Sequence, residues 1–164
     1  MIILGIDPGI ARVGWGVIKE EKGKKQAIDF GLFETSSSLD LDERLLLVHQ
    51  FVSDLIKKFK ADVLAVEQLY FGANAKTALI VGHARGVIIL TAAQNKISSV
   101  SYTPLQVKMS LTGYGRAEKK QIQIMVKSEL KIQKPLTQDD TADALAVALT
   151  HAFSYKLSGK IQSK

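Results

Sequence analysis

The hydrophobic pattern of this chain changes its period near residue 40, and this change restricts the folds open to it. Before that point, apolar and polar residues alternate, as at Val13, Trp15 and Val17, which is typical of half-buried β-strands. After it, apolar residues recur every three or four positions from Leu41 to Phe59, which predicts an amphipathic helix. The chain is therefore expected to form an α/β domain.

The remaining segments complete a mixed sheet flanked by helices. We expect strands at 1–6, 12–19, 25–35, 62–67 and 97–102, and helices at 41–59, 74–94, 104–111, 117–130 and 139–156. Short connections join the first three strands, which predicts an antiparallel meander. No repeat or linker divides the chain, so we predict one domain over residues 1–156 and a short, disordered basic tail at 157–164.

Composition excludes several classes of protein. A chain of 164 residues, 46% hydrophobic and 23% charged, is long enough to bury one core. The absence of cysteine excludes disulfides, zinc–thiolate sites and thiol nucleophiles. The amino terminus reaches an acid at Asp7 too soon for a signal peptide, and no apolar run approaches the roughly 20 residues of a membrane span. We therefore expect a cytoplasmic protein.

The chain carries a net charge of +6, mostly from grouped lysines. Because Lys and Arg neutralise phosphates and release condensed counterions, this excess favours a polyanionic partner such as a nucleic acid. Charge alone speaks to solubility as much as to partners, so both interpretations stay open at this point.

Two acids stand where short apolar strands end. Asp7 follows the apolar run at 1–6, and Glu67 follows the run at 63–66. If these strands are parallel neighbours, both carboxylates emerge at the carboxyl edge of the sheet, where open α/β sheets bind their ligands. The alternative for either acid is a local role in a turn or a helix cap.

A third acid lies in a helix that is apolar on nearly every face. Asp143 belongs to the segment 141–149, which is expected to be buried. A buried carboxylate must be paired, protonated or bound to a metal, because losing its hydration costs on the order of several kcal/mol. Asp140 stands one turn earlier on the same helix face. Asp139 is interpreted as a first-turn acid that complements the helix dipole, and Asp140 is open to both interpretations.

Together the four acids Asp7, Glu67, Asp140 and Asp143 predict one pocket of hard oxygen ligands. Such a pocket suits Mg²⁺ or Mn²⁺, which bind carboxylates, water and a substrate phosphate. Two such ions about 4 Å apart catalyse phosphodiester cleavage in many nucleases. With the basic surface, the residues themselves predict a metal-dependent nuclease.

Five motifs, in order along the chain, resemble those of one protein family. They are Gly5-Ile6-Asp7-Pro8-Gly9, Gly14-Trp15-Gly16, Val66-Glu67-Gln68, Ala84-Arg85-Gly86 and Asp140-Thr141-Ala142-Asp143-Ala144-Leu145-Ala146. In this order and spacing, from residue 1 to about 153, the sequence resembles the bacterial RuvC Holliday-junction resolvases.

This resemblance implies a ribonuclease-H-like fold with a five-stranded mixed sheet, and a homodimer with two active sites. It implies symmetric paired nicks in a four-way DNA junction during recombination and repair, leaving 5′-phosphate and 3′-hydroxyl ends. It also implies a partnership with the RuvA–RuvB branch-migration complex. By position, Asp7, Glu67, Asp140 and Asp143 match the family's ligands for two Mg²⁺ ions, with Mn²⁺ able to substitute. Some members carry His at the position of Asp140, so that ligand is the least fixed.

The resemblance also identifies residues that contact DNA. Lys108 and Lys119 match family lysines near the scissile strand, although Lys108 is equally explained as a solvated lysine. Lys120 lies beside Lys119 and would join it in holding a phosphate. Arg85 either faces DNA or serves as a structural ion-pair partner.

An aromatic pair follows the second acid. Tyr70 occupies the position, three after Glu67, where the family commonly carries Phe, and Phe71 is next to it. Stacking of an aromatic ring on an unpaired base contributes about 1–3 kcal/mol. Either Tyr70 or Phe71 is expected to stack on a base at the junction.

Three other functions fit the sequence less well than a junction resolvase. A YqgF-type nuclease acting on RNA has different motifs around the third acid. Actin-like ATPases and sugar kinases share a phosphate loop similar to Asp7-Pro8-Gly9, but they need two related subdomains, for which 164 residues leave no room. A non-catalytic protein that binds DNA junctions would not need acids facing a polyanion.

Overall fold

The computed structural model describes residues 1–68, 75–133, 136 and 138–161, with side chains at 75–77 and 156–161 not described. Its elements are β1 (Ile2–Asp7), β2 (Arg12–Glu21), β3 (Lys24–Glu34), α1 (Leu41–Phe59), β4 (Val63–Glu67), α2 (Ala75–Gln94), β5 (Ser98–Tyr102), α3 (Pro104–Thr112), α4 (Lys119–Leu130) and α5 (Asp139–Ile161). Their order and type confirm the α/β prediction. The backbone of α5 continues past 156 to Ile161, so the predicted domain boundary falls inside a helix. No helix in the described ranges is both long and apolar enough to cross a bilayer.

The five strands form one mixed sheet in the order β3-β2-β1-β4-β5. β1, β2 and β3 are antiparallel neighbours, as their short connections predicted. β4 and β5 each follow a helix and lie parallel to β1 and to each other. β1, β4 and β5 therefore end at the same edge of the sheet, the carboxyl edge, and begin at the opposite one, the amino edge.

Each face of the sheet is covered by its own helices. Alternation along β1 directs Leu4 and Ile6 to one face, where they pack with buried residues of α1 and α2. Ile3 points to the other face and packs with α3, α4 and α5. Because successive residues alternate, Gly5 and Asp7 share the face of Ile3 and lie under α5.

Glycines on this face allow α5 to approach the sheet closely. A Cβ atom on Gly5 would collide with the carbonyl oxygen of Ala144, and one on Gly14 would collide with that of Asp140. Any larger residue at either position would push the helix away from the strands. The glycines of the sheet therefore set the distance between α5 and the strands. They also set the distance between the strands and the acids on α5.

Candidate active site at the carboxyl edge

Two neighbouring strands bring Asp7 and Glu67 together. β1 pairs with β4 in parallel, with Ile6 opposite Val66, so the next residue of each strand is an acid. Ala65 belongs to the core beneath α5, and alternation along β4 places Glu67 on that same face. The prediction that both acids meet at the carboxyl edge is confirmed.

The first turns of α5 add Asp140 and Asp143 from above the sheet. Gly14 is paired with Asp7 in the sheet and lies directly under the backbone of Asp140. Asp143 follows one turn later and is half-buried, although the residues around it are fully buried. Both acids are close enough to Asp7 to interact with its charge. The structure thus brings together the four acids that the sequence singled out.

Burial and mutual repulsion make these acids difficult to ionise together. Burial, followed by the charges of Glu67, Asp143 and Asp140, raises the pKa of Asp7 to about 8. Burial also raises the pKa of Glu67 and that of Asp143. Because these carboxylates are buried and close together, a cation that binds among them lowers the free-energy cost of ionising them.

One cation from another helix already reaches the group. The Lys119 ammonium, in the first turn of α4, lies 2.9 Å from an Asp143 carboxylate oxygen and 3.4 Å from one of Asp139. Burial opposes the charge of Lys119, but Asp143 and then Asp139 outweigh it and raise its pKa. Asp143 has no basic neighbour within a turn of its own helix, and its partner comes from α4 instead.

The chemistry of the donors fits a hard divalent cation. Four carboxylates converge with one lysine among them, and carboxylate oxygens are the ligands that Mg²⁺ and Mn²⁺ prefer. Within the described ranges, no three His, Asp or Glu side chains meet the geometry of a preformed metal cluster. Asp143 is turned towards Lys119, so its carboxylate would have to exchange this partner to act as a ligand.

Asp139 is not one of the four acids, although it shares Lys119 with Asp143. It begins α5, and its carboxylate accepts a hydrogen bond from Gln123 Nε2 at 2.8 Å. Its position in the first helical turn agrees with the dipole role predicted for it.

The predicted DNA-binding residues lie in different surroundings. Lys119 and Lys120 begin α4 beside the acids, and Lys120 is fully exposed. Lys108 is half-buried on α3, and no carboxylate in the described ranges lies within 4.0 Å of it. Tyr70 and Phe71 lie outside the described residues.

Arg85 makes contacts that the sequence did not predict. Its Nε donates to the carbonyl oxygen of Glu67 at 3.2 Å, and its guanidinium donates to Ser101 Oγ at 2.5 Å. Arg85 thereby ties α2 to the ends of β4 and β5, beside the acid. A bond to a backbone carbonyl leaves no trace in the sequence.

A buried hydrogen-bonded pair connects α5 to the edge strand β5, and this pair was not predicted from the sequence either. The Tyr102 hydroxyl and His151 Nδ1 are 2.8 Å apart, with both residues buried. Tyr102 pairs with Glu67 in the sheet, and His151 lies two turns after Asp143 on α5. The pair therefore connects the strand next to Glu67 with the helix that carries Asp143.

Comparison with known proteins gives a consistent result. A family model described as "Crossover junction endodeoxyribonuclease RuvC" matches residues 3–151. Crossover junction endodeoxyribonuclease RuvC of Caldicellulosiruptor saccharolyticus is 53% identical over 155 residues, which cover 94% of this chain and 93% of that protein.

Solved structures agree with the sequence match. Thermus thermophilus RuvC superposes with a TM-score of 0.89 at 34% identity, covering 96% of this chain and 97% of that one. T. thermophilus RuvC in complex with Holliday junction substrate gives a TM-score of 0.87 at 31% identity, covering 96% of each chain. With the sheet order above, these matches confirm the expected ribonuclease-H-like fold.

Proposed function

The chain belongs to the RuvC family of crossover junction endodeoxyribonucleases, and we propose that it resolves Holliday junctions by cutting DNA with divalent metal ions bound at Asp7, Glu67, Asp140 and Asp143. The family is metal-dependent. The identity of the ion as Mg²⁺, with Mn²⁺ as a substitute, and the use of two ions are parts of this proposal. So are symmetric paired nicks with 5′-phosphate and 3′-hydroxyl ends.

The observation that carries the proposal is the group of four acids at the carboxyl edge. Acids that face a polyanion repel it, and burial with mutual repulsion makes Asp7 costly to ionise. A role in binding metal ions explains both features, since cations neutralise the acids and attract the phosphate.

Each residue has a distinct part in this scheme. Asp7 and Glu67 lie on strands, so the sheet fixes their separation, whereas Asp140 and Asp143 belong to the first two turns of α5. When bound, divalent ions would supply Lewis acidity and lower the pKa of a ligand water. Lys119, half exposed, is placed to exchange Asp143 for a phosphate oxygen.

The DNA-contacting residues are assigned by the family resemblance and by position. Lys119 and Lys120 would hold the scissile strand next to the acids, and Lys108 would contact the same strand from α3. Tyr70 or Phe71 would stack on an unpaired base. Arg85 is assigned a supporting role through its bond to the Glu67 carbonyl, and the residue is half-buried beside the site.

We further propose that two copies act together on one junction. α2 exposes Leu79 and Leu90, at 61% and 56% of their surface, and Gly86 on the same helix has no neighbour within 4 Å of a built Cβ. A two-fold dimer through this helix would present two active sites to a near-symmetric junction. The RuvA–RuvB complex is the proposed further partner. A protein that stays monomeric in gel filtration at micromolar concentration would contradict the dimer.

The central proposal is tested on a synthetic four-way junction. Asp143→Asn is expected to bind the junction but to cut it at least about 1000-fold more slowly, because metal stabilisation contributes several kcal/mol to the transition state. The matched control is Asp54→Asn, an exposed acid on α1 outside the site, which should cut normally. Cutting by Asp143→Asn at the wild-type rate, or cutting by the wild type in EDTA, would refute the mechanism.

A further inference from the structure

The amino edge of the sheet carries lysines in an unusual backbone conformation. Among the described residues, the non-glycine positions with positive φ are Lys22, Lys60, Lys96 and Lys131, with φ between 50° and 60°. All four side chains are exposed. Glycine and asparagine are the residues that ordinarily occupy this left-handed region. In each of the four turns the chain has a lysine instead.

Connectivity places these four turns at the same end of the molecule. Lys22 is in the turn between β2 and β3, and Lys60 lies just before β4. Lys96 lies just before β5, and Lys131 caps α4. The end of α4 reaches the start of β3, where Glu129 pairs with Lys25 at 3.4 Å.

The four left-handed lysines form no ion pair among the described residues. The nearby lysines that do form ion pairs are Lys19, Lys25 and Lys58. Within the described ranges, no carboxylate lies within 4.0 Å of the four left-handed lysines or of Lys24. An open cavity of about 1000 Å³ between β3 and the end of α4 is lined by Lys24 and Lys131. Acids lie at this edge too, among them Glu21, Asp62 and Glu129, but lysines outnumber them. The amino edge is therefore a broad surface with an excess of positive charge.

Helix capping explains only part of this pattern. Lys60, Lys96 and Lys131 follow helix C-termini, where a positive charge complements the helix dipole. Lys22 is in a hairpin turn and does not itself follow a helix, yet it has the same residue type and conformation. What the four positions share is their location at the amino edge.

The active site does not need this charge. β1 has six residues, so the two edges are roughly 20 Å apart at about 3.3 Å per residue. This separation exceeds the Debye length of about 8–10 Å at physiological salt, so the amino-edge lysines do not neutralise the four acids. Any partner of this charge must therefore lie outside the active site.

The presence of lysine rather than arginine at the amino edge indicates which kind of partner suits this surface. The arginines of the chain, Arg12, Arg44, Arg85 and Arg116, all lie near the carboxyl edge, on β2, α1, α2 and the loop before α4. Arginine binds phosphates and base edges in fixed bidentate geometry, whereas lysine acts as a mobile point charge. A surface of lysines spread over four turns suits a polyanion whose charge, but not whose sequence, is recognised.

We propose that the amino edge is a second DNA-binding surface, which holds the phosphate backbone of duplex DNA without sequence preference, away from the site of cleavage. The choice of DNA as the polyanion rests on the proposed function. In this arrangement the acidic carboxyl edge contacts the junction, and the amino edge contacts duplex DNA away from the point of cleavage.

Four combined substitutions test this proposal. Asparagine tolerates positive φ, so Lys22→Asn, Lys60→Asn, Lys96→Asn and Lys131→Asn together remove charge without straining the turns. The matched control replaces the same four lysines with arginine, which keeps the charge. Binding of both variants and of the wild type to a linear duplex is measured in EDTA over a range of salt concentrations. Each lost phosphate contact should reduce the slope of log K against log salt by about 0.9, so we expect a decrease of about 2 to 4 for the asparagine variant.

The outcomes separate this proposal from the proposed function. The arginine variant should keep the wild-type slope, and the asparagine variant should still nick a synthetic junction at low salt. Equal slopes for the asparagine variant and the wild type would overturn the second surface, even if the wild type cuts junctions. Equal slopes with lost binding to polyglutamate would instead indicate an acidic protein partner. Failure of the wild type to cut any junction would count against the proposed function, whatever the slopes.

Discussion

The two edges of the sheet concentrate charge in opposite ways. At the carboxyl edge, strands and α5 bring four acids into a half-buried group, with Lys119 as the nearby cation. At the amino edge, exposed turns spread lysines over a broad surface, and the four in left-handed turns form no ion pair within the part of the chain that the structure describes. The first arrangement depends on long-range packing and shifts pKa values, whereas the second depends on the local conformation of turns. Charge in a buried group can bind an ion tightly, and charge on an open surface can attract a long polyanion.

The largest difference between the two edges should appear in the free energy of unfolding, measured in EDTA as a function of pH. An acid whose pKa is higher in the folded protein than in the unfolded chain holds a proton that the unfolded chain has lost. The pKa of Asp7 is about 8 in the folded protein against an ordinary value of 3.8, so the free energy of unfolding should fall as the pH rises from about 4 to about 8. The loss should be on the order of a few kcal/mol, and Asp7→Asn should flatten it.

Glu67 and Asp143 have raised pKa values as well and add to the same trend. Divalent cations should reverse it, because metal binding to the ionised acids competes with protons and stabilises the fold more at pH 8 than at pH 5. Denaturant unfolding at the two pH values, with and without Mg²⁺, measures all of these effects. The four-asparagine variant of the amino edge serves as the control and should keep the wild-type slope. If Asp7→Asn kept the wild-type dependence of unfolding free energy on pH, Asp7 would not be the carboxylate whose pKa is raised.

Gly14→Ala should damage the carboxyl edge through packing alone. The added methyl group would collide with the backbone of Asp140, so α5 must move away from β2. We expect a loss of about 1–3 kcal/mol in unfolding free energy, as for other overpacked cores. Because a displacement of about 1 Å can reduce catalysis 100-fold, cleavage should fall by about that factor.

Gly86→Ala is the matched stability control for Gly14→Ala, measured at a concentration low enough for the protein to be monomeric, because Gly86 lies on the proposed dimer face. Nothing lies within 4 Å of a Cβ built at Gly86, and alanine is favoured over glycine in a helix by about 0.5–1 kcal/mol. Thermal unfolding should therefore show a small gain for Gly86→Ala and a clear loss for Gly14→Ala. Equal stability of the two variants would mean that close packing at Gly14 does not set the distance between α5 and the sheet.

The acids could be predicted from the sequence because each is out of place locally. Asp7 and Glu67 interrupt apolar strands, and Asp143 interrupts an apolar helix, so their residue types conflict with their surroundings. The antiparallel meander of β1, β2 and β3 followed from their short connections. These signals are contained within single segments of the chain.

The partners of the acids could not be predicted, because they arise between segments. Lys119 meets Asp143 only once α4 packs on α5, and Arg85 bonds to a carbonyl that every residue possesses. The grouped lysines were visible in the sequence, but their shared edge and left-handed turns depend on how four connections meet in space. The chemistry of each side chain could be predicted from the sequence, whereas its neighbours in the folded protein could not.

The smallest expected effect concerns the stability of a single turn at the amino edge. Lys60 caps α1 with φ of 52°, where its charge favours the helix dipole but its side chain disfavours the left-handed backbone. Lys60→Asn loses the first effect and relieves the second, so the free energy of unfolding should change by less than about 0.5 kcal/mol. Lys60→Ala loses the charge without that relief and should be the less stable variant, a difference that chemical denaturation can resolve. If Lys60→Asn lowered stability as much as Lys60→Ala, the lysine would be present for the stability of its turn. Its position would then give no support to a DNA-binding role for the amino edge.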